Sequence, residues 1–113
     1  MKCANRKEKY FFRFVDFQKK LLPILEEVLP GIKLEKKQIR TRNKFVIAFE
    51  LTQNFKTNKL QAFIKDNRIN SAKYGVWVSL VTERDIDGVH VPDFVIRLIA
   101  RTGGQLDFSF TLV

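Results

Sequence analysis

Apolar residues in this chain recur with two periods, and the changes between them divide it into eight segments. Residues 10–15 (YFFRFV) alternate at period two, with Tyr10, Phe12 and Phe14 on one face and Phe11, Arg13 and Val15 on the other. A strand with apolar groups on both faces belongs in the middle of a sheet. From Lys19 the spacing turns helical through Leu21, Leu22, Leu25, Val28 and Leu29. Pro23 fits the first turn of that helix, where its missing N–H costs little, and Pro30-Gly31 ends it. Residues 32–40 alternate weakly and are heavily charged, the pattern of an edge strand whose lysines discourage edge-to-edge pairing. After a turn at Arg42-Asn43, Phe45, Ile47, Phe49 and Leu51 alternate cleanly, which predicts a strand antiparallel to its predecessor.

The second half repeats the logic. Asn54 or Thr57 can cap a short helix with Leu60, Phe63 and Ile64 facing inward, and a strand runs from Tyr74 to Thr82. Residues 83–91 read as a charged loop. Pro92 suits the first position of a helix, Asp93 complements its positive end, Val95, Leu98 and Ile99 form its buried stripe, and Gly103-Gly104 stops it. In the last strand, Leu106, Phe108, Phe110 and Leu112 are expected inward and Asp107, Ser109 and Thr111 outward.

The order β-α-β-β-α-β-α-β predicts an α+β domain: a ferredoxin-like split βαβ sandwich, mainly antiparallel with helices on one face, extended by one helix and one strand. At 113 residues and 45% hydrophobic content, including 11 Phe, the chain (1–113) fits one domain with a real core; residues 1–8 are expected to be flexible. No apolar run approaches the roughly 20 residues of a membrane span, no signal-type segment follows the charged N-terminus, and the single cysteine, Cys3, fits a reducing compartment. The expected location is the cytoplasm.

Charge adds a direction to this picture. The net charge is +9, and residues 1–44 hold 13 basic against 5 acidic side chains. Such a field attracts polyanions or an acidic protein face. The densest cluster, Lys33, Lys36, Lys37, Arg40, Arg42 and Lys44, falls on the predicted hairpin and is the first candidate for partner binding. A solvated basic surface is the other reading of the same residues. The segment KFVIAF (44–49) lacks the glycines of a base-stacking motif, and its Phe residues alternate as a core stripe does. Trp77 falls on the second face of its strand, as packing or as an exposed contact.

Catalytic chemistry finds little support. His90 is the only histidine, which leaves Cys3 without a base and the chain without a His-rich metal site. Asp85-Ile86-Asp87-Gly88 has part of a calcium-loop pattern, but the position that should supply a bidentate Glu is Ile96, so it reads as a turn. Gly103-Gly104 is a helix stop, not a phosphate loop. No enzyme activity, cofactor or metal is expected.

From Tyr74 onward the chain reads YGVWVSLVTERDIDGVHVPDFVIRLIARTGGQLDFSFTLV, a strand, an acidic loop, a Pro-started helix, Gly-Gly and an alternating strand. This third of the chain resembles the ending of small bacterial immunity proteins of polymorphic toxin and contact-dependent growth inhibition systems. The resemblance implies a protein that binds and neutralises a cognate toxin domain, and it carries no functional residue with it. The basic hairpin would meet acidic groups of the toxin; Glu83, Asp85 and Asp87 are the alternative contact, imitating phosphates. A nucleic-acid-binding accessory protein is the alternative function, using the same cations on phosphates.

Overall fold

The computed structural model describes residues 6–38, 44–82 and 91–112 of the chain. It is an α+β fold in which a five-stranded mixed sheet carries three helices. The strands are β1 (Arg6–Gln18), β2 (Glu35–Gln38), β3 (Lys44–Glu50), β4 (Tyr74–Thr82) and β5 (Gln105–Leu112). The helices are α1 (Leu22–Val28), α2 (Thr57–Asp66) and α3 (Asp93–Thr102). Strand order is β2-β3-β1-β4-β5, with β2·β3, β3·β1 and β1·β4 antiparallel and β4·β5 parallel.

β1 is central, as its two apolar faces require. It is longer than its alternating segment suggests, because Arg6, Lys7 and Glu8 pair with Thr82, Val81 and Leu80. Residues 6–8 therefore belong to the sheet. At its far end β1 bulges: Phe14 pairs with Ile47 and Phe17 with Phe45, three steps against two. The extra residue resets the alternation, so Phe14 and Phe17, which an unbroken strand would place on opposite faces, are both buried. Asp16 accommodates the bulge with a left-handed φ of 50°.

Phe12, Phe14, Ile47, Phe49, Val76 and Val78 form the sheet side of the core, and Leu25, Leu60, Phe63, Val95 and Leu98 are the helix side. Phe12 is fully buried and stacks on Phe49 and Tyr74, with ring centroids 5.6 Å and 5.8 Å away. The described helices thus share one face of the sheet. The apolar stripe of KFVIAF is core, with Ile47 and Phe49 buried.

Three boundaries differ from expectation. Among the described residues of the segment 32–40, the strand occupies Glu35–Gln38, fully exposed, at one edge of the sheet. Neither Asn54 nor Thr57 caps α2; Lys56 occupies that position without a side-chain bond. Pro92 is the residue before α3, where its carbonyl accepts from the Val95 and Ile96 N–H groups, and helix geometry begins at Asp93. Gly103 then stops α3 as expected, in the left-handed region at φ 74° with its N–H on the Ile99 carbonyl.

The largest correction concerns β5. Its register places Leu106 opposite Val76 and Phe108 opposite Val78, on the helix-bearing face, yet the two side chains are 37% and 42% exposed. Alternation selects the face of a sheet, whereas depth depends on what lies above it. β5 is the outermost strand, with β4 as its one partner, so the right face is only half covered.

Tyr74 couples β4 to the end of α3. Its hydroxyl donates to the Thr102 carbonyl, and burial pushes the phenol above its ordinary value of 10.0. The folded chain therefore keeps this proton where the unfolded chain has released it. The contribution is fully present below pH 10 and is lost as pH rises through the folded value. Thermal midpoints measured across alkaline pH should fall more steeply for the wild type than for Tyr74→Phe. Equal slopes would remove Tyr74 from the alkaline transition.

Candidate functional site

The second face of the sheet bears no described helix. Antiparallel partners share a face, so the register assembles Phe11 with Trp77 and Glu50, Arg13 with Ala48 and Gly75, and Lys37 with Val46. At the centre, the rings of Phe11 and Trp77 lie 5.7 Å apart and tilted by 37°. The Arg13 guanidinium sits 5.4 Å from the Trp77 ring centroid, a cation–π distance. The same guanidinium lies 3.5 Å from the Asp107 carboxylate on β5.

Gly75 stands directly across from Arg13, and its lack of a side chain lets the Gln105 backbone of β5 come close; Arg13, Gly75, Gln105 and Asp107 border a depression of about 40 Å³ there. The Arg13–Asp107 pair is solvated and contributes at most about 1 kcal/mol. Its effect is positional: it fixes a half-exposed arginine flat beside a half-exposed indole.

The described members of the candidate basic cluster lie in different surroundings. Lys33 is exposed in the turn after α1. Lys36 pairs in register with the buried Ile47, on the helix-bearing side, and lies 3.9 Å from Glu26 of α1. Lys37, its neighbour, is exposed on the opposite face. Lys44 opens β3 and lines a cavity at the bulged end of β1. Arg40 and Arg42 lie outside the described residues, as do Glu83, Asp85, Asp87, His90 and Cys3.

Phe11, Arg13 and Val15 are legible in the sequence as a second face, and Trp77 as a residue on the second face of its own strand. Their meeting depends on the β1·β4 register, which no local pattern encodes. Among the described residues, no three of His, Cys, Asp and Glu gather as metal ligands would, and no helix is long and apolar enough to cross a membrane. Comparison with protein-family models, with curated proteins and with solved structures returned no match.

Proposed function

We propose that the chain is a protein-binding inhibitor of the immunity type, and that the second face of its sheet is the surface that engages the cognate toxin domain. The order β2-β3-β1-β4 with antiparallel neighbours supports reading the first four strands as a ferredoxin-like split βαβ unit to which α3 and β5 are added. The resemblance in the C-terminal third supports the immunity class. The fold hosts many activities, so the argument for the surface has to come from its side chains.

One observation carries it: Phe11, Arg13 and Trp77 meet at the centre of a sheet face that no described helix covers. Trp and Arg dominate the few residues that supply most of the energy of protein interfaces, because each removes a large area from water while keeping few free torsions or a rigid donor fork. The surroundings are of mixed charge, with Lys9 and Lys37 beside Glu35, Glu50 and Asp107. Carboxylates next to the aromatic centre favour a protein over a strand of phosphates, which they repel. The net charge of +9 favours an acidic partner and speeds the encounter. Inhibition by occlusion needs no catalytic group and no cofactor.

Trp77 is the only tryptophan, so it reports on this face directly. Binding to a candidate toxin domain, followed by surface plasmon resonance and by Trp77 fluorescence, should shift the emission. Trp77→Ala should weaken the complex about 30-fold or more, chiefly through faster dissociation. Raised salt should slow association and leave dissociation nearly unchanged. The protein should bind generic RNA no better than about 10 µM near physiological salt. Nanomolar RNA binding that quenches Trp77 would replace this reading with the nucleic-acid one. A complex unaffected by Trp77→Ala would move the interface elsewhere.

A further inference from the structure

At the bulged end of β1 a cavity of about 400 Å³ is bordered by four cations, Lys20, Lys44, Arg68 and Lys73, and by one carboxylate, Asp16. They come from four separate places: the turn before α1, the start of β3, the end of α2 and the approach to β4. Asp16 pairs with Lys73 at 2.7 Å. Among the described residues no carboxylate lies within ion-pair distance of Lys20, Lys44 or Arg68. Like charges brought to the rim of one cavity repel each other, and an anion placed between them removes that repulsion.

Arg68 adds an independent observation. It follows α2 in the position where a left-handed residue closes the helix: Ile69 N–H donates to the Ile64 carbonyl and Arg68 N–H to the Lys65 carbonyl, both at 3.1 Å. Glycine is the usual occupant, because a side chain at positive φ meets its own backbone. Here the φ of 51° is carried by an arginine that lines the cavity. Asp16, which carries the bulge of β1, is the other non-glycine residue at positive φ among those described, and it too borders the cavity.

We infer that this cavity binds a phosphate group, with Arg68 offering its planar donor fork and Lys20, Lys44 and Lys73 neutralising the remaining charge. Phosphate oxygens accept several charge-assisted bonds at once, which suits a fork and ammonium groups converging from different directions. The site shares none of its charged residues with the Phe11–Arg13–Trp77 surface, so the two readings are tested by different variants.

Isothermal titration of the intact chain with pyrophosphate at low ionic strength tests the inference. Wild type should bind at micromolar concentrations, and Lys44→Gln with Arg68→Gln should weaken binding about tenfold or more. Lys33→Gln with Lys37→Gln, outside the cavity, should leave it unchanged. Arg68→Gly separates function from folding, because glycine relieves the strain while removing the cation: it should raise Tm by about 4 °C and still weaken pyrophosphate binding. A short oligothymidylate identifies the source of the phosphate. Tighter, steeply salt-dependent binding of the oligonucleotide assigns it to a nucleic-acid strand, and equal or weaker binding assigns it to a free phosphate compound. No pyrophosphate binding below about 1 mM, or binding untouched by the Lys44 and Arg68 changes, overturns the site.

Discussion

Phe12→Ala is expected to lower the unfolding free energy by about 3–5 kcal/mol, while Phe11→Ala, one position away, costs about 1 kcal/mol. The two residues differ by which side of the central strand they occupy. Phe12 is wholly buried between Phe14, Phe49 and Tyr74, so truncation leaves a void that these three aromatic rings cannot close without breaking their own contacts. Phe11 rests on Trp77 across a face that no described helix covers, and it is only partly buried, so its removal leaves a smaller void. A domain of this size has about 5–15 kcal/mol to lose, so Phe12→Ala takes a large share of it. Urea unfolding followed by far-UV circular dichroism measures both. Similar losses for the two variants would mean that the second face is covered as deeply as the first.

Gly75→Ala is the smallest possible change in the sheet and is expected to be among the most damaging. A Cβ at Gly75 would stand 2.4 Å from the backbone oxygen of Gln105 and 2.9 Å from its carbonyl carbon and nitrogen. Real Cβ atoms do not approach backbone so closely, and backbone cannot rotate aside as a side chain can. The start of β5 must move away from β4, which breaks the beginning of the parallel ladder where Gly75 pairs with Gln105. The cost is expected to be about 2–4 kcal/mol, in the range of an overpacked interior. Amide hydrogen exchange locates it: protection should fall first along β5 and stay high in β1 and β3. Loss spread evenly over the sheet, or no loss, would contradict a clash confined to this register.

What the sequence discloses follows the range of the physics behind it. Features set by neighbours in the chain are legible: β4 occupies residues 74–82 as its composition indicates, α3 runs between Pro92 and Gly103, and β1 has the two apolar faces of a central strand. Features set by distant partners are not. The bulge at Asp16 reveals itself only against β3, where Phe17 meets Phe45. Leu106 and Phe108 carry a core pattern but lie under too little of the fold to be core. The basic cluster is legible as charge, but how its members face is not: Lys36 and Lys37, consecutive on β2, point to opposite faces of the sheet. Lys20, Arg68 and Lys73 carry no shared signal at all, being brought beside Lys44 by the ends of different elements.

The position of β1 has a consequence for how the chain is made. It is the central strand of the sheet, yet it precedes both of its partners, β3 at residues 44–50 and β4 at residues 74–82. At ribosomal rates of about 5–20 residues per second, the aromatic run from Tyr10 to Phe17 waits several seconds between its own synthesis and that of its second partner. During that interval its two edges are open and its side chains are in water, the state most prone to pair with another nascent chain. The cations set within and around the run, Lys7, Lys9, Arg13, Lys19 and Lys20, act as gatekeepers, since stacking identical strands would bring them into mutual repulsion. Part of the basic character of the N-terminal half would then oppose self-association of the growing polypeptide before any folded surface exists.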